Sequence, residues 1–114
     1  MTISKLNLSR FDFISVRLAV LCAQTGSLTS AARACHLVLP AASRRIKDLE
    51  AAIGSQLFER HSRGLSLTPA GRVFMRHGLS LLQEMDALSR ELDDLQEGVI
   101  RHVKLFAGTA AISQ

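Results

Sequence analysis

A few residues near the middle of the chain have the types and spacing needed to recognise nucleic acid. Ser43, Arg44 and Lys47 recur at helical spacing behind a Leu39-Pro40 pair, and Arg63 stands beside Gly64 in a short polar stretch. Cations can neutralise phosphates, and hydroxyl or guanidinium groups can bond to base edges, while small and aliphatic residues let a helix tip enter a groove. Groove-reading helices set their leading residues against the bases. Leu39, Pro40, Ser43, Arg44 and Lys47 are therefore candidate DNA contacts on one helix. Arg63, at a hairpin tip, suits the minor groove or a neighbouring phosphate. Helical spacing leaves open whether Arg45 or Lys47 shares the exposed face. His36 reads as a backbone-bonded or packing turn residue, and His61 as a possible phosphate neighbour.

No other chemistry is indicated. There is no Ser/His/Asp, Cys/His or paired-carboxylate arrangement, and His36, His61, His77 and His102 lack metal-ligand spacing. Neither enzyme activity nor a metal or cofactor is expected. Cys22 and Cys35 lie in apolar helical stretches without CxxC spacing and read as small buried hydrophobes. The amino terminus lacks a basic-then-apolar signal pattern, and Arg17 interrupts the one strongly apolar run, so a cytoplasmic protein without a membrane span is expected.

The elements that must position these residues can be traced from patterning. Ser9 opens an S-x-x-D pattern ending at Asp12, a helix-start signal. Phe13, Val16, Val20 and Ala23 follow as the apolar stripe of a first helix, and Gly26 stands where a left-handed cap would end it. Ser27 caps a second helix over residues 28–35, with Leu28, Ala31, Ala32 and Cys35 inward. After a turn, Pro40 occupies the first turn of a third helix, whose buried face is Ala42, Ile46, Leu49 and Ile53 and whose end is Gly54. Ala31 and Ala32 are small because the two helices must cross closely. Residues 57–60 and 65–68 read as two short strands around a glycine-containing turn. Thr68-Pro69 then starts a long helix expected to run to about Glu97 and to stop at Gly98, with an apolar strand over residues 103–107.

The fold expected is mainly α: a winged helix-turn-helix of three helices plus a short β-hairpin, followed by a long dimerisation helix. The boundaries are residues 1–68 for the DNA-binding domain, 69–97 for the linker helix and 98–114 for the start of a further domain. Leu81, Met85, Leu88, Leu92 and Leu95 fall on one a/d seam with Phe74. Phe74 is expected to cover the small domain, whereas residues 81–95 extend over ~21 Å of helix, too far to be buried by it. A homodimer through this seam is the reading; the heptads do not say whether its helices run parallel or antiparallel.

Charge distribution agrees with this division. The whole chain has 114 residues and a net charge of +4, with 47% hydrophobic and 21% charged residues, a composition that folds. Residues 1–78 hold eleven cations and four acidic residues, a net of +7, and residues 79–114 hold three cations and six acidic residues, a net of −3. A basic front and an acidic rear suit a module that binds a polyanion such as double-stranded DNA and carries an element held away from it.

One string of residues is specific enough to indicate a family. Gly26-Ser27-Leu28-Thr29, Ala31-Ala32, Pro40-Ala41, Ser43-Arg44, Ile46, Leu49-Glu50, Gly54, Leu57-Phe58-Glu59-Arg60, Arg63-Gly64, Leu67-Thr68 and Gly71 together resemble the amino-terminal domain of LysR-type transcriptional regulators. The likeness extends over about residues 8–97. It implies a winged helix-turn-helix that dimerises through its linker helix, with antiparallel helices, and binds an interrupted palindrome near a promoter. In the family a larger effector-binding domain follows, with a periplasmic-binding-protein-like fold, whose first strand residues 103–107 resemble. Thr109, just past that strand, would be a fragment of an effector site. A small-molecule effector is accordingly expected only for a longer form of the protein. The chain departs from the family in one functional place: Val38-Leu39 stands where members commonly have Ser-Gln. Glutamine can pair with adenine, whereas Leu39 offers apolar contact, for instance with a thymine methyl.

Two other function classes fit parts of this pattern. A dimeric helical interaction module without specific DNA binding would share the fold but would not need the basic face. Another winged-helix family with a metal- or oxyanion-sensing partner domain would require a different carboxyl-terminal half.

Overall fold

Asp12 starts the first helix, α1 (Phe13–Thr25): its carboxylate accepts the Ser15 amide at 2.7 Å, satisfying one of the donors that a helix start leaves free. In the computed structural model residues 11–112 are described, with side chains through residue 105, so Ser9 lies outside the described residues. Gly26 ends α1 in the left-handed conformation, φ 69°, and donates its amide to the Cys22 carbonyl. The expected stripe is only part of what α1 buries. Val16 and Val20 are buried, but Phe13 is exposed and Ala23 half-buried, while Ser15, Leu18, Ala19 and Cys22 are buried as well. The reason is that α1 is packed on more than one side. Leu18, Ala19 and Cys22 join the central core, and Val16 and Val20 lie beside Gly78.

Ser27 caps α2 (Leu28–Ala34) through the Ser30 amide, 3.1 Å, and Cys35 closes it, one residue earlier than expected. Ala31 and Ala32 are buried where α2 meets its neighbours. The turn to the next helix passes through His36, whose φ of 57° is the one positive value outside glycine among the described residues. Its amide bonds to the Arg33 carbonyl. In α3 (Leu39–Ile53), Ala42, Ile46, Leu49 and Ala52 are buried and Ile53 is half-buried. Pro40 sits in its first turn, where a missing amide leaves nothing unpaired.

The hairpin is formed by β1 (Phe58–His61) and β2 (Gly64–Leu67), paired antiparallel with Phe58 opposite Leu67 and His61 opposite Gly64. The turn is Ser62-Arg63, two residues instead of the four expected, so each strand extends one residue closer to it. Two contacts seat the hairpin. The Leu65 amide donates to the Gly26 carbonyl at 3.1 Å, and a Cβ on Gly64 (φ 125°) would collide with that same oxygen. Thr68 then joins three segments: its hydroxyl donates to the Gln56 carbonyl at 2.6 Å and accepts the Gly71 amide at 2.9 Å, and its amide bonds to Leu57. Gly71 must be glycine here, because a Cβ would overlap the Leu57 carbonyl.

The last helix, α4 (Pro69–Ile112), begins as expected but does not stop at Gly98. Residues 103–107 are helical, which corrects the expected strand, and Thr109 stands on that helix instead of beyond a strand end. A strand satisfies its amides only through a neighbour, and the two strands among the described residues pair with each other. A helix satisfies them internally, and one interior glycine weakens it by about 1 kcal/mol without forbidding it. By contacts the chain forms two units, divided after Ser80. In the first, Phe74 packs on the core and meets Phe11 edge-on, ring centres 6.0 Å apart, as its predicted covering role requires. In the second, Leu81, Met85, Leu88, Leu92 and Leu95 are 45% to 67% exposed, and Val99 continues their spacing.

Candidate nucleic-acid interface

The core side of α3 fixes what its other side can present. With Ala42, Ile46 and Leu49 turned inward, Leu39, Pro40, Ser43, Arg44 and Lys47 fall within an arc of about 140° at 100° per residue. All are exposed except Ser43, which is half-buried. The structure thus brings the five predicted α3 residues onto one face. Arg63 is exposed in the hairpin turn, and its amide is 3.3 Å from His61 Nδ1, which accepts it. This bond holds His61 against the turn backbone.

The ambiguity between Arg45 and Lys47 is resolved by a residue 33 positions away. Arg45 turns sideways and its guanidinium pairs with the Asp12 carboxylate at 3.3 Å. Lys47 remains on the open face. Partial burial works against ionisation of Asp12, but the Ser15 hydrogen bonds and the Arg45 guanidinium outweigh it and hold its carboxyl below the ordinary value. The pair ties the start of α1 to α3 and is not available to DNA without breaking.

Glu50 has a role that spacing did not reveal. Its carboxylate accepts the Leu57 amide at 2.7 Å, which anchors the segment entering β1 to the end of α3. Leu49-Glu50 was part of the family-like string, but nothing in the pattern pointed to an amide seven residues on. Between α3 and the hairpin lies a cleft of about 710 Å³ whose rim includes Lys47, Glu50, Glu59 and Arg60. Two cations face two carboxylates there, so the cleft has no strong preference for charge. Beneath it Cys22 is fully buried, and burial, with a smaller push from nearby Cys35, raises its thiol to about 12 despite Arg60. At neutral pH it is an un-ionised packing group. Among the described residues no His, Cys, Asp and Glu side chains group as metal ligands, and no helix is long and apolar enough to cross a membrane.

Comparison with known proteins gives the same picture. Residues 15–72 match the model for bacterial regulatory helix-turn-helix proteins of the lysR family. An uncharacterized HTH-type transcriptional regulator of Bacillus subtilis, YcgK, is 37% identical over 91 residues, covering 80% of this chain and 28% of the relative. The HTH-type transcriptional regulator TfdT of Cupriavidus pinatubonensis is 38% identical over 88 residues, 76% of this chain and 39% of the relative. The chain therefore spans well under half the length of either. Among solved structures, the BenM DNA-binding domain in complex with catB site 1 DNA superimposes with a TM-score of 0.69 at 31% identity, covering 74% of this chain and 94% of that one. The family match runs from within α1 to the start of α4 and contains α2, the exposed α3 face and the hairpin, so the chain belongs to the LysR family of helix-turn-helix transcriptional regulators.

Proposed function

We propose that the chain binds double-stranded DNA sequence-specifically as a homodimer, with α3 in the major groove and Arg63 at the minor groove or an adjacent phosphate. The observation that carries this reading is the single exposed face holding Leu39, Pro40, Ser43, Arg44 and Lys47, backed by a buried Ala42-Ile46-Leu49 seam. That the similar BenM domain is found on DNA supports it. The exposed stripe from Leu81 to Leu95 supports dimerisation along α4, and a two-fold dimer reads an interrupted palindrome. The protein acts in the cytoplasm by binding, without catalysis or a cofactor.

The test is selection of bound duplexes from a random pool, followed by binding titrations on the enriched site. Two half-sites related by symmetry are expected. Arg44→Ala should weaken specific binding by roughly 1 to 3 kcal/mol if it pairs with a base, and lower the salt slope by about 1 if it holds a phosphate. Absence of any enriched sequence would overturn the reading, and unchanged affinity on an enriched site would remove Arg44 from the interface.

A further inference from the structure

The leading end of α3 is aliphatic and serves neither the core nor the helix. Val38 is 72% exposed and Leu39 45% exposed, and neither belongs to the core cluster or the hydrophobics packed on it. Val38 is the N-cap of α3, yet no side-chain bond caps that helix, in contrast to Asp12 on α1 and Ser27 on α2. Val38 thus forgoes the amide bond that a polar residue would make there. Leu39 lies on the same side of α3 as Ser43 and Lys47, one and two turns further on. An aliphatic side chain has no donor or acceptor, so the one base-edge feature of the major groove that it recognises is the 5-methyl group of thymine.

We infer that Val38 and Leu39 select the operator through thymine methyl groups at the half-site position facing the tip of α3. This rests on the DNA-binding reading above and adds the chemical group that is read. The consequence is a preference that hydrogen bonding does not supply: thymine is distinguished from uracil, which differs only by that methyl.

The experiment starts from a site enriched by selection and replaces its thymines with deoxyuridine one at a time, with affinity followed by fluorescence anisotropy. At the equivalent position of each half-site, removal of the methyl should weaken binding about fourfold, the worth of one buried methyl. Deoxyuridine elsewhere should leave affinity unchanged. In Leu39→Gln, which alters an exposed residue and should melt as the parent does, the thymine-to-uracil ratio at that position should fall toward one. Methyl sensitivity undiminished from that of the parent in both Leu39→Gln and Val38→Ser would overturn the proposal, as would an enriched site with no methyl-sensitive thymine. Failure to enrich any sequence would overturn the DNA-binding reading and this proposal with it.

Discussion

Residues 39–53 and 81–95 carry the same kind of signal, apolar residues repeating at three and four positions, yet their surroundings are opposite. In α3 the repeat Ala42, Ile46, Leu49 is buried within the chain. In α4 the repeat Leu81, Met85, Leu88, Leu92, Leu95 is about half exposed. Periodicity announces that a face needs covering but does not say what covers it. The answer comes from neighbours: α3 has α1 and α2 against it, whereas the described residues of the second unit form one helix. Side chains around the two faces differ accordingly. Cations flank the open side of α3, and the stretch after Arg76 is dominated by Glu84, Asp86, Glu91, Asp93, Asp94 and Glu97.

The most severe way to break this comparison is to make the exposed repeat unable to pair. Leu88→Asp with Leu92→Asp puts carboxylates on successive turns of the proposed seam. Four leucines are lost across a dimer, at roughly 1.5 kcal/mol or more each, which weakens association by about 6 kcal/mol and raises the dissociation constant by several powers of ten. Sedimentation equilibrium should show monomers, while thermal unfolding of the winged unit remains cooperative. A species that still sediments as a full dimer would refute the seam.

Next in size is a single substitution made in each region. Gly71→Ala forces a Cβ into the Leu57 carbonyl, which is backbone and cannot move aside cheaply, and should destabilise the winged unit by about 2 to 3 kcal/mol in urea unfolding. Gly98→Ala meets nothing within 4 Å and should instead strengthen its helix by up to about 1 kcal/mol, seen as increased helicity by circular dichroism. Loss of helicity in Gly98→Ala would contradict a helix that continues through that position.

Local chemistry made much of the winged unit legible in the sequence. Ser27, Thr68-Pro69, Gly26 and Gly54 mark helix ends by their own conformational preferences, and the α3 face followed from one clear buried seam. What escaped depended on distant partners. Leu18 and Ala19 are buried although they lie off the expected stripe, because α1 is packed from more than one direction and its burial does not reduce to one stripe. By spacing Arg45 is equivalent to Lys47, and only Asp12 beside it sets it apart; the Glu50 bond to Leu57 joins the last turn of α3 to the segment before β1. Gly98 misleads in the other direction, since glycine commonly ends helices but α4 continues through it. For the candidate interface, spacing anticipated that Leu39, Pro40, Ser43, Arg44 and Lys47 share one face of α3 and that Arg63 is exposed in the hairpin turn. The polar bonds that hold their elements in place were not visible.

The smallest expected effects come from the two ion pairs among the described residues, one in each unit. Arg45 and Asp12 approach to 3.3 Å with partly covered side chains, whereas Arg101 and Glu97 lie 3.9 Å apart on a fully exposed helix surface. Glu97→Gln should change stability by less than about 0.5 kcal/mol. Asp12 also caps α1, so Asp12→Ala should cost about 1 kcal/mol, most of it from the cap because solvent screens a half-exposed pair. Asp12→Asn separates the parts, since asparagine retains a capping oxygen but has no charge to titrate. The folded-state pKa of Asp12 lies below its ordinary value, so the unfolded chain binds the proton more readily. Its stabilising contribution is therefore complete above the ordinary carboxylate range and is lost as pH falls through the lowered pKa. Urea unfolding at a series of acidic pH values should show the parent losing stability faster than Asp12→Asn in that window. Parallel pH profiles for the two proteins would mean that the carboxylate gains nothing on folding, and that α1 is tied to α3 by packing alone.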